Sequence, residues 1–338
     1  MLSTEISGDS STQTYLEQQH RLRGIIADFK SRRFVEKRSV PPSRRFRTGL
    51  NELYLDFRSK LAPSQYFDFL DWSQEMLTSQ LSDLSHIPTR YDNLTGIFPK
   101  APVLELQNEL RWIAARIRSE NEKITKFLVL KALVERATLE TNYSGAVAAL
   151  DALHEAYGAT LWSIQLRLAL DQQIGGIEQQ KKYSAQVRSV YKQGLLGFIT
   201  YHSSVRNEER TTIKKFSDDI DRRIANHVYY DDATKSYMRY RLKGELPTTG
   251  AQLADILRIE QSHGILDIYE TFVAVLQELV RWNHRKDLQA VVLACIEDIN
   301  TPDYRLEKIR LALNPAKITT LPQRSSLFIG RALLRLYS

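Results

Sequence analysis

The sequence predicts an all-α protein built from packed antiparallel helical hairpins. Apolar residues recur at spacings of three and four along most of the chain, which is the period of one face of an α-helix. Only 14 glycines and 10 prolines occur in 338 residues, so few positions suit the repeated reversals of a sheet protein. The composition is 43% apolar and 26% charged, as in ordinary globular proteins. Such a chain can bury a substantial core in one or two domains.

The amino-terminal part is predicted to carry a tail and a basic linker. We expect residues 1–13, which are rich in Ser and Thr, to be a disordered tail. Residues 14–48 read as a helix followed by a linker at Pro41-Pro42, because proline lacks a backbone donor and favours extended geometry. Between residues 30 and 47 eight basic side chains stand against one acid, Glu36, which accounts for the whole formal charge of +7.

A helical lobe is predicted over residues 49–202. It is expected to begin with two helices split at Pro63. Leu106, Leu110, Ile113 and Ile117 then follow at spacings of four, three and four, which places them on one helical stripe. Further stripes are expected in helices that carry Phe127, Leu130, Leu133, Val134 and Ala137, then Ala146, Leu150, Leu153 and Tyr157. A turn at Gly175-Gly176 and a helix over 177–201 are expected to complete the lobe.

A second helical lobe is predicted over residues 217–338, after a polar connector at 203–216. One helix is expected over 218–243. The strongest pattern follows it, a 3,4,3,4,3 rhythm that predicts a helix packed along its length. Its partner in an antiparallel hairpin is predicted after residues 283–286. The two stripes are Ile265, Ile268, Phe272, Val275, Leu279 and Trp282, and then Leu288, Val291, Val292, Cys295 and Ile299.

The stretch from Phe127 to Gly158 resembles a tetratricopeptide (TPR) repeat, the helix–turn–helix unit of about 34 residues. Apolar positions of the first helix match at Leu130, Leu133 and Ala137, and the turn and second helix match at Tyr143, Ala146, Leu150 and Leu153. The sequence departs from the repeat at Val134, where the family prefers a small residue, and at Gly158, where it prefers proline. The resemblance implies a TPR-like α-solenoid in one or two lobes, whose concave face binds peptides or other proteins.

Two Arg/His pairs resemble the motif of HEPN ribonucleases, in which Arg precedes His by four to six residues. They are Arg222 with His227 and Arg258 with His263. The resemblance implies an acid and base assembled around a scissile phosphate. The competing interpretation is a surface arginine beside an unrelated histidine, since a spacing of five leaves the two side chains about 140° apart on a straight helix.

The basic segment could grip nucleic acid or an acidic protein surface. Its arginines are interleaved with Phe34 and Phe46, a mixture suited to phosphate contacts and base stacking. We favour docking on an acidic surface of this chain or of a partner, and keep nucleic acid as the alternative. The candidate contacts in either case are Arg32, Arg33, Lys37, Arg38, Arg44, Arg45 and Arg47.

Other chemistry has little support in the sequence. No phosphate-binding Gly-rich loop, zinc-protease helix or nucleophile elbow occurs, so no metal and no cofactor is expected. Cys295 lies in an apolar run and is expected to be an inert core thiol. The absence of a signal-peptide pattern and of a long apolar run favours a cytoplasmic protein. The basic amphipathic stretch 324–337 is expected to close the core rather than to touch a membrane.

The leading interpretation is therefore a non-enzymatic scaffold or adaptor that binds another protein or peptide, as a subunit of a larger, bacterial-type assembly. It rests on repeated hairpins together with the lack of a catalytic pattern. The alternative is a helical nucleic-acid-binding protein or HEPN-like ribonuclease that uses the basic segment and an Arg/His pair.

Overall fold

The computed structural model describes residues 12–24, 27, 60–76, 104–190, 194–228, 230–261, 263–282 and 285–314. Every regular element in these ranges is an α-helix, which confirms the all-α prediction. The helices are α1 (12–24), α2 (Pro63–Met76), α3 (Leu106–Ser119), α4 (Asn121–Leu139), α5 (Tyr143–Tyr157), α6 (Leu161–Val190), α7 (Leu195–Arg206), α8 (Ile213–Ala225), α9 (Asp232–Lys243), α10 (Gly250–Glu260), α11 (Ile265–Val280), α12 (Lys286–Ile299) and α13 (Tyr304–Leu313).

The chain divides into two compact units. The first comprises Met1–Ile87 and Phe98–Leu104, and the second comprises Pro88–Ile97 and Glu105–Ser338. In the first unit α1 meets α2 through an edge-to-face contact of Tyr15 with the buried Phe69, whose ring centroids are 6.4 Å apart. Arg23 lies over the ring of Trp72 at 5.2 Å. Helix α2 begins at Pro63, where the sequence predicts the break, because the first helical position needs no backbone donor.

The second unit contains the hairpins that the apolar stripes predict. Helices α4 and α5 pack against each other, as do α6 and α7, and as do α11 and α12. In α3 the predicted stripe of Leu106, Leu110, Ile113 and Ile117 is buried. In α11 Ile265, Ile268, Phe272, Val275 and Leu279 are buried as well. Cys295 lies in this core, and burial raises the pKa of its thiol to about 12.

Packing in the second unit also joins helices that are far apart in the chain. Helix α3 lies against α12, α10 and α11. At its ends Gln107 donates to Asp287, and Arg118 pairs with Asp298, both across 180 residues of sequence. The predicted connector at 203–216 lies inside this unit, where it forms the end of α7, a turn and the start of α8.

Three boundaries differ from the sequence prediction. The helix predicted over 177–201 ends before Gly194, whose φ of 114° is one that side-chain-bearing residues rarely adopt. The predicted turn at Gly175-Gly176 is a kink within α6, with φ of 66° at Gly176. The single helix predicted over 218–243 is two helices, because the Asp231 side chain accepts from the backbone N–H of Thr234 and starts α9 afresh.

One apolar stripe is only partly buried. Phe127 and Val134 of α4 are fully buried, whereas Leu133, predicted to share their stripe, is 46% exposed. Six residues separate Leu133 from Phe127, which places the two side chains about 120° apart around α4, so Leu133 lies off the buried stripe. None of the described helices has the length and apolar character needed to cross a membrane.

Candidate functional site

The sequence-predicted basic contacts cannot be placed in the fold. Arg32, Arg33, Lys37, Arg38, Arg44, Arg45 and Arg47 lie outside the described residues, as does the stretch 324–337. Binding of nucleic acid or of an acidic partner by segment 30–47 therefore stays a prediction.

The Arg258/His263 pair lies where the fold is closed to solvent. The Arg258 guanidinium donates to Asp255 one turn earlier in α10, and its side chain is mostly buried. His263 follows α10 and is fully buried. Its Nδ1 lies 3.2 Å from the Tyr237 hydroxyl and 3.2 Å from the Glu260 carboxylate. Arg258 and His263 thus have separate partners, and in this conformation solvent does not reach His263.

His263 belongs to a buried polar cluster, which we call the Arg241 network: Tyr237, Arg241, Glu260, His263 and Asp267. The Arg241 guanidinium donates to Glu260, lies 3.4 Å from Asp267, and donates through Nε to the Tyr237 hydroxyl at 3.0 Å. The Tyr237 and His263 rings are stacked with centroids 5.8 Å apart. One cation therefore holds two carboxylates and a hydroxyl in the core.

Neighbouring helices complete the hydrogen bonds of the Arg241 network. The Asp267 carboxylate accepts from the backbone N–H groups of Leu161 and Trp162 at 2.7 and 2.9 Å, so α11 caps the start of α6. The second Glu260 oxygen accepts from the Thr271 hydroxyl at 3.0 Å. The network therefore fixes α6, α9, α10 and α11 with respect to one another.

The pKa values of the two carboxylates in this network, Glu260 and Asp267, are shifted in opposite directions. Burial by itself raises the pKa of Glu260, but Arg241 and His263 more than offset burial, and the pKa lies below its usual value. Burial dominates at Asp267, whose pKa is raised although Arg241 stands nearby. Arg241 therefore neutralises Glu260 more completely than Asp267.

The Arg222/His227 pair lies near the surface, and its two side chains have different partners. The Arg222 side chain is exposed and donates to Asp219 at 3.0 Å on α8. His227 follows the end of α8 and stacks on Tyr230, with ring centroids 4.1 Å apart and an angle of 16° between the planes. His227 thus faces an aromatic cluster that the sequence did not indicate.

That cluster is a continuous chain of five rings, which we call the five-ring chain. Each ring centroid is within 6.2 Å of the next. His202 and Phe198 are 4.3 Å apart at its centre. One end, Tyr201, is 41% exposed, and the other end is half-buried. In spatial order the members are Tyr201, His202, Phe198, His227 and Tyr230.

Arginines flank the five-ring chain. The Arg188 guanidinium carbon, from α6, lies 4.8 Å from the centroid of the Tyr201 ring. Burial and, to a smaller extent, the positive charges of Arg223 and Arg188 together lower the pKa of His202 to about 4, and the carboxylate of Asp219 offsets only part of this shift. Within the ranges that the structure describes, neither Arg188 nor Arg223 has a carboxylate within salt-bridge distance. The chain of rings therefore carries local positive charge that the protein leaves largely uncompensated.

Sequence reasoning did not find either cluster. A signal existed for the Arg241 network, because Asp267 lies among the apolar residues Ile265, Leu266 and Ile268 of α11, and a buried carboxylate needs a partner. No comparable signal existed for the five-ring chain, whose members come from separate elements. Among the described residues no group of three or more His, Cys, Asp or Glu is arranged to hold a metal ion.

Comparisons with known proteins found no similarity: no family model matches the chain, and neither a curated protein nor a solved structure matches it.

Proposed function

We propose that this protein is a non-enzymatic α-helical interaction scaffold or adaptor within a larger assembly. The observation that carries the proposal is the closure of the Arg241 network. Tyr237, Glu260 and His263, the groups of this network with acid–base capacity, bind one another and Arg241 in a solvent-excluded core. The members of the Arg241 network fix the positions of four helices, so we expect a partner to be recognised by surface residues instead.

The surface that best fits this role is the outward side of α4. In the TPR-like interpretation of residues 127–158, α4 is the first helix of a repeat from a family whose concave face binds peptides or other proteins. Val129 is 61% exposed and Leu133 is 46% exposed, and their spacing of four residues places them side by side. They lie on the side of α4 away from the buried Phe127 and Val134.

Charged pairs flank these two apolar residues along the helix. Lys126 pairs with Glu122 on one side, and Arg136 pairs with Glu140 on the other. An apolar centre within a charged rim is the usual anatomy of a protein interface. Exposed ion pairs of this kind contribute only about 0–1 kcal/mol, so Lys126 and Arg136 can exchange their carboxylates for those of a partner.

These features favour an amphipathic helix of another protein as the partner. Its apolar residues, spaced by three or four, would lie on Val129 and Leu133. Its acidic residues, about one turn to either side, would meet Lys126 and Arg136. The proposal commits to such a helix as the occupant of this face.

Site-specific photo-crosslinking in cells tests this proposal. A photoreactive residue at Val129 should capture one protein, whereas the same residue at Leu139, on another side of α4 and 78% exposed, should not capture it. Leu133→Glu should abolish the capture, and Leu139→Glu should leave it intact.

The captured protein then supplies a direct binding assay. A synthetic peptide that covers its crosslinked segment should become helical on binding and should lose at least tenfold in affinity for the Leu133→Glu variant. Equal capture at positions 129 and 139, or a peptide that binds both Glu variants equally, would rule out this face.

A further inference from the structure

The five-ring chain combines partly exposed aromatic rings with uncompensated positive charge. Its members come from α7 and from the turn that follows α8, and Arg188 comes from α6. The five-ring chain is separate from the α4 face and from the Arg241 network, and the function proposed above does not involve it.

Packing alone is a poor explanation for this arrangement. A cluster of rings that only fills space is best served by apolar neighbours, whereas the charges of Arg188 and Arg223 oppose protonation of the buried His202. Arg222, in contrast, is neutralised by Asp219 at 3.0 Å. The protein thus compensates one arginine of α8 and leaves Arg223, beside the rings, without a carboxylate partner among the described residues.

Rings beside arginines are what a base-and-phosphate ligand requires. Nucleobases stack on tyrosine and histidine rings and on guanidinium planes, and phosphates pair with arginine. Arg188 already lies over one of these rings, since its guanidinium carbon is 4.8 Å from the centroid of the Tyr201 ring. Bases in a duplex are stacked on each other, so only a single strand can present their faces to such rings.

We propose that the two accessible ends of the five-ring chain, Tyr201 and Tyr230, together with Arg188 and Arg223 bind single-stranded nucleic acid, with bases on the rings and phosphates on the arginines. The bases stack on Tyr201 and Tyr230, at the two ends of the five-ring chain. His202, near its centre, holds the rings in place without contacting the ligand. Because stacking and phosphate contacts read no base edge, binding has little sequence preference.

Fluorescence anisotropy with a labelled uridine octanucleotide tests the proposal on the full chain. The measurements are made in the natural chain and in one with Arg32, Arg33, Arg44, Arg45 and Arg47 changed to Ser, so that segment 30–47 cannot supply the signal. Tyr201→Leu should weaken binding about tenfold in both backgrounds, and Tyr201→Phe should preserve it. Arg188→Ala with Arg223→Ala should reduce the slope of log Kd against log salt by about 1.4, since each single-strand phosphate contact contributes about 0.7.

A second tyrosine–cation pair provides the matched control. Lys308 lies 5.1 Å from the ring centroid of the exposed Tyr304, but this pair belongs to no ring chain. Tyr304→Leu and Lys308→Ala should therefore leave octanucleotide affinity unchanged. The helical circular dichroism of every variant is recorded, because loss of binding counts only in a folded chain.

Other outcomes overturn the proposal. Octanucleotide binding that is absent, or that survives both Tyr201→Leu and the double arginine variant, removes this surface as a site. Displacement by uridine monophosphate at the concentration of the octanucleotide would identify a mononucleotide site, and displacement by poly-glutamate would identify a site for acidic protein. The α4 capture experiment is unaffected by any of these results, so the two proposals fail separately.

Discussion

Asp267 illustrates how one residue can carry a tertiary contact in this core. It lies among Ile265, Leu266 and Ile268 and is fully buried, which would be costly for an unpaired carboxylate. Its two oxygens accept from the first backbone N–H groups of α6, and Arg241 is nearby. A single polar side chain in an apolar helix thus caps a helix that begins 106 residues earlier.

We expect Arg241→Met to be strongly destabilising. The substitution keeps most of the side-chain volume but leaves Glu260 and Asp267 buried without their cation, and breaking a buried pair in this way typically costs about 3–5 kcal/mol. Urea denaturation measures the loss in the free energy of unfolding. Arg239→Met is the control, because Arg239 pairs with Asp221 at the surface and should cost no more than about 1 kcal/mol.

The same prediction has a coupled test. If the cost comes from the stranded carboxylate, Glu260→Gln should be less costly in the Arg241→Met background than in the natural chain. Additive costs would show that the network does not act as a unit.

His202 should make stability depend on pH in a defined window. Its pKa falls from 6.5 to about 4 in the folded chain, so between these values the unfolded chain binds the proton and the folded chain does not. The contribution of His202 is thus unfavourable to folding as the pH drops from 6.5 to 4, and it is constant above 6.5. The stability of the natural chain relative to His202→Gln should fall across that window.

Nuclear magnetic resonance provides the direct check on His202. Its imidazole should stay neutral at pH 5 and titrate near pH 4. A His202 ring that titrates at 6.5 would mean that burial and the two arginines do not act on it as described.

At the scale of elements, burial separates residues that the sequence pattern treats alike. Phe272 of α11 and Leu133 of α4 both lie on predicted apolar stripes, but Phe272 is fully buried and Leu133 is not. Phe272→Ala should therefore cost about 3–5 kcal/mol. Leu133→Ala should cost less than about 1 kcal/mol, since it opens no cavity. Thermal unfolding of the two variants compares them, and equal losses would contradict the exposure of the outward α4 face.

The existence of the helices could be predicted from sequence, but several of their ends could not. The α3 and α11 stripes repeat over several turns, so periodicity alone identified them. The break before α9 depends on one hydrogen bond that the Asp231 side chain accepts from the Thr234 N–H, and the break at Gly194 depends on one backbone angle. A single hydrogen bond or backbone angle does not alter the periodic pattern of apolar residues, so the pattern cannot predict these breaks. The TPR-like interpretation of α4 and α5 remains a prediction, since their packing is also that of any helical hairpin.

The candidate sites were less predictable, for a physical reason. Arg241 and Glu260 are 19 residues apart, and the five rings come from α7 and from the turn that follows α8, so only the tertiary fold assembles either cluster. The prediction of the Arg/His pairs was based instead on residues that are close together in the sequence. In the fold Arg258 pairs with Asp255 and His263 faces Tyr237 and Glu260.

At the scale of the whole molecule, α3 makes the second unit differ from an open row of hairpins. In a repeat array each unit contacts only its neighbours, and stability is close to a sum of local terms. Here α3 packs on α12 at the other end of the described chain, with Gln107 bonded to Asp287 and Arg118 to Asp298. Contacts of this kind link the two ends of the unit energetically.

A cavity in α3 should therefore weaken α12 as much as α3 itself. Leu110 is fully buried, and Leu110→Ala is expected to lower the free energy of unfolding by about 2–5 kcal/mol. Native-state hydrogen exchange followed by mass spectrometry should report lower protection in peptides from 286–299 as well as from 106–119, because α3 packs directly on α12. Leu133→Ala, at the surface of α4, is the control and should change protection in neither helix. If Leu110→Ala lowered protection only in α3 and in α4, its neighbour along the chain, then stability would propagate from hairpin to hairpin, and the unit would behave as an open array despite the contacts that close it.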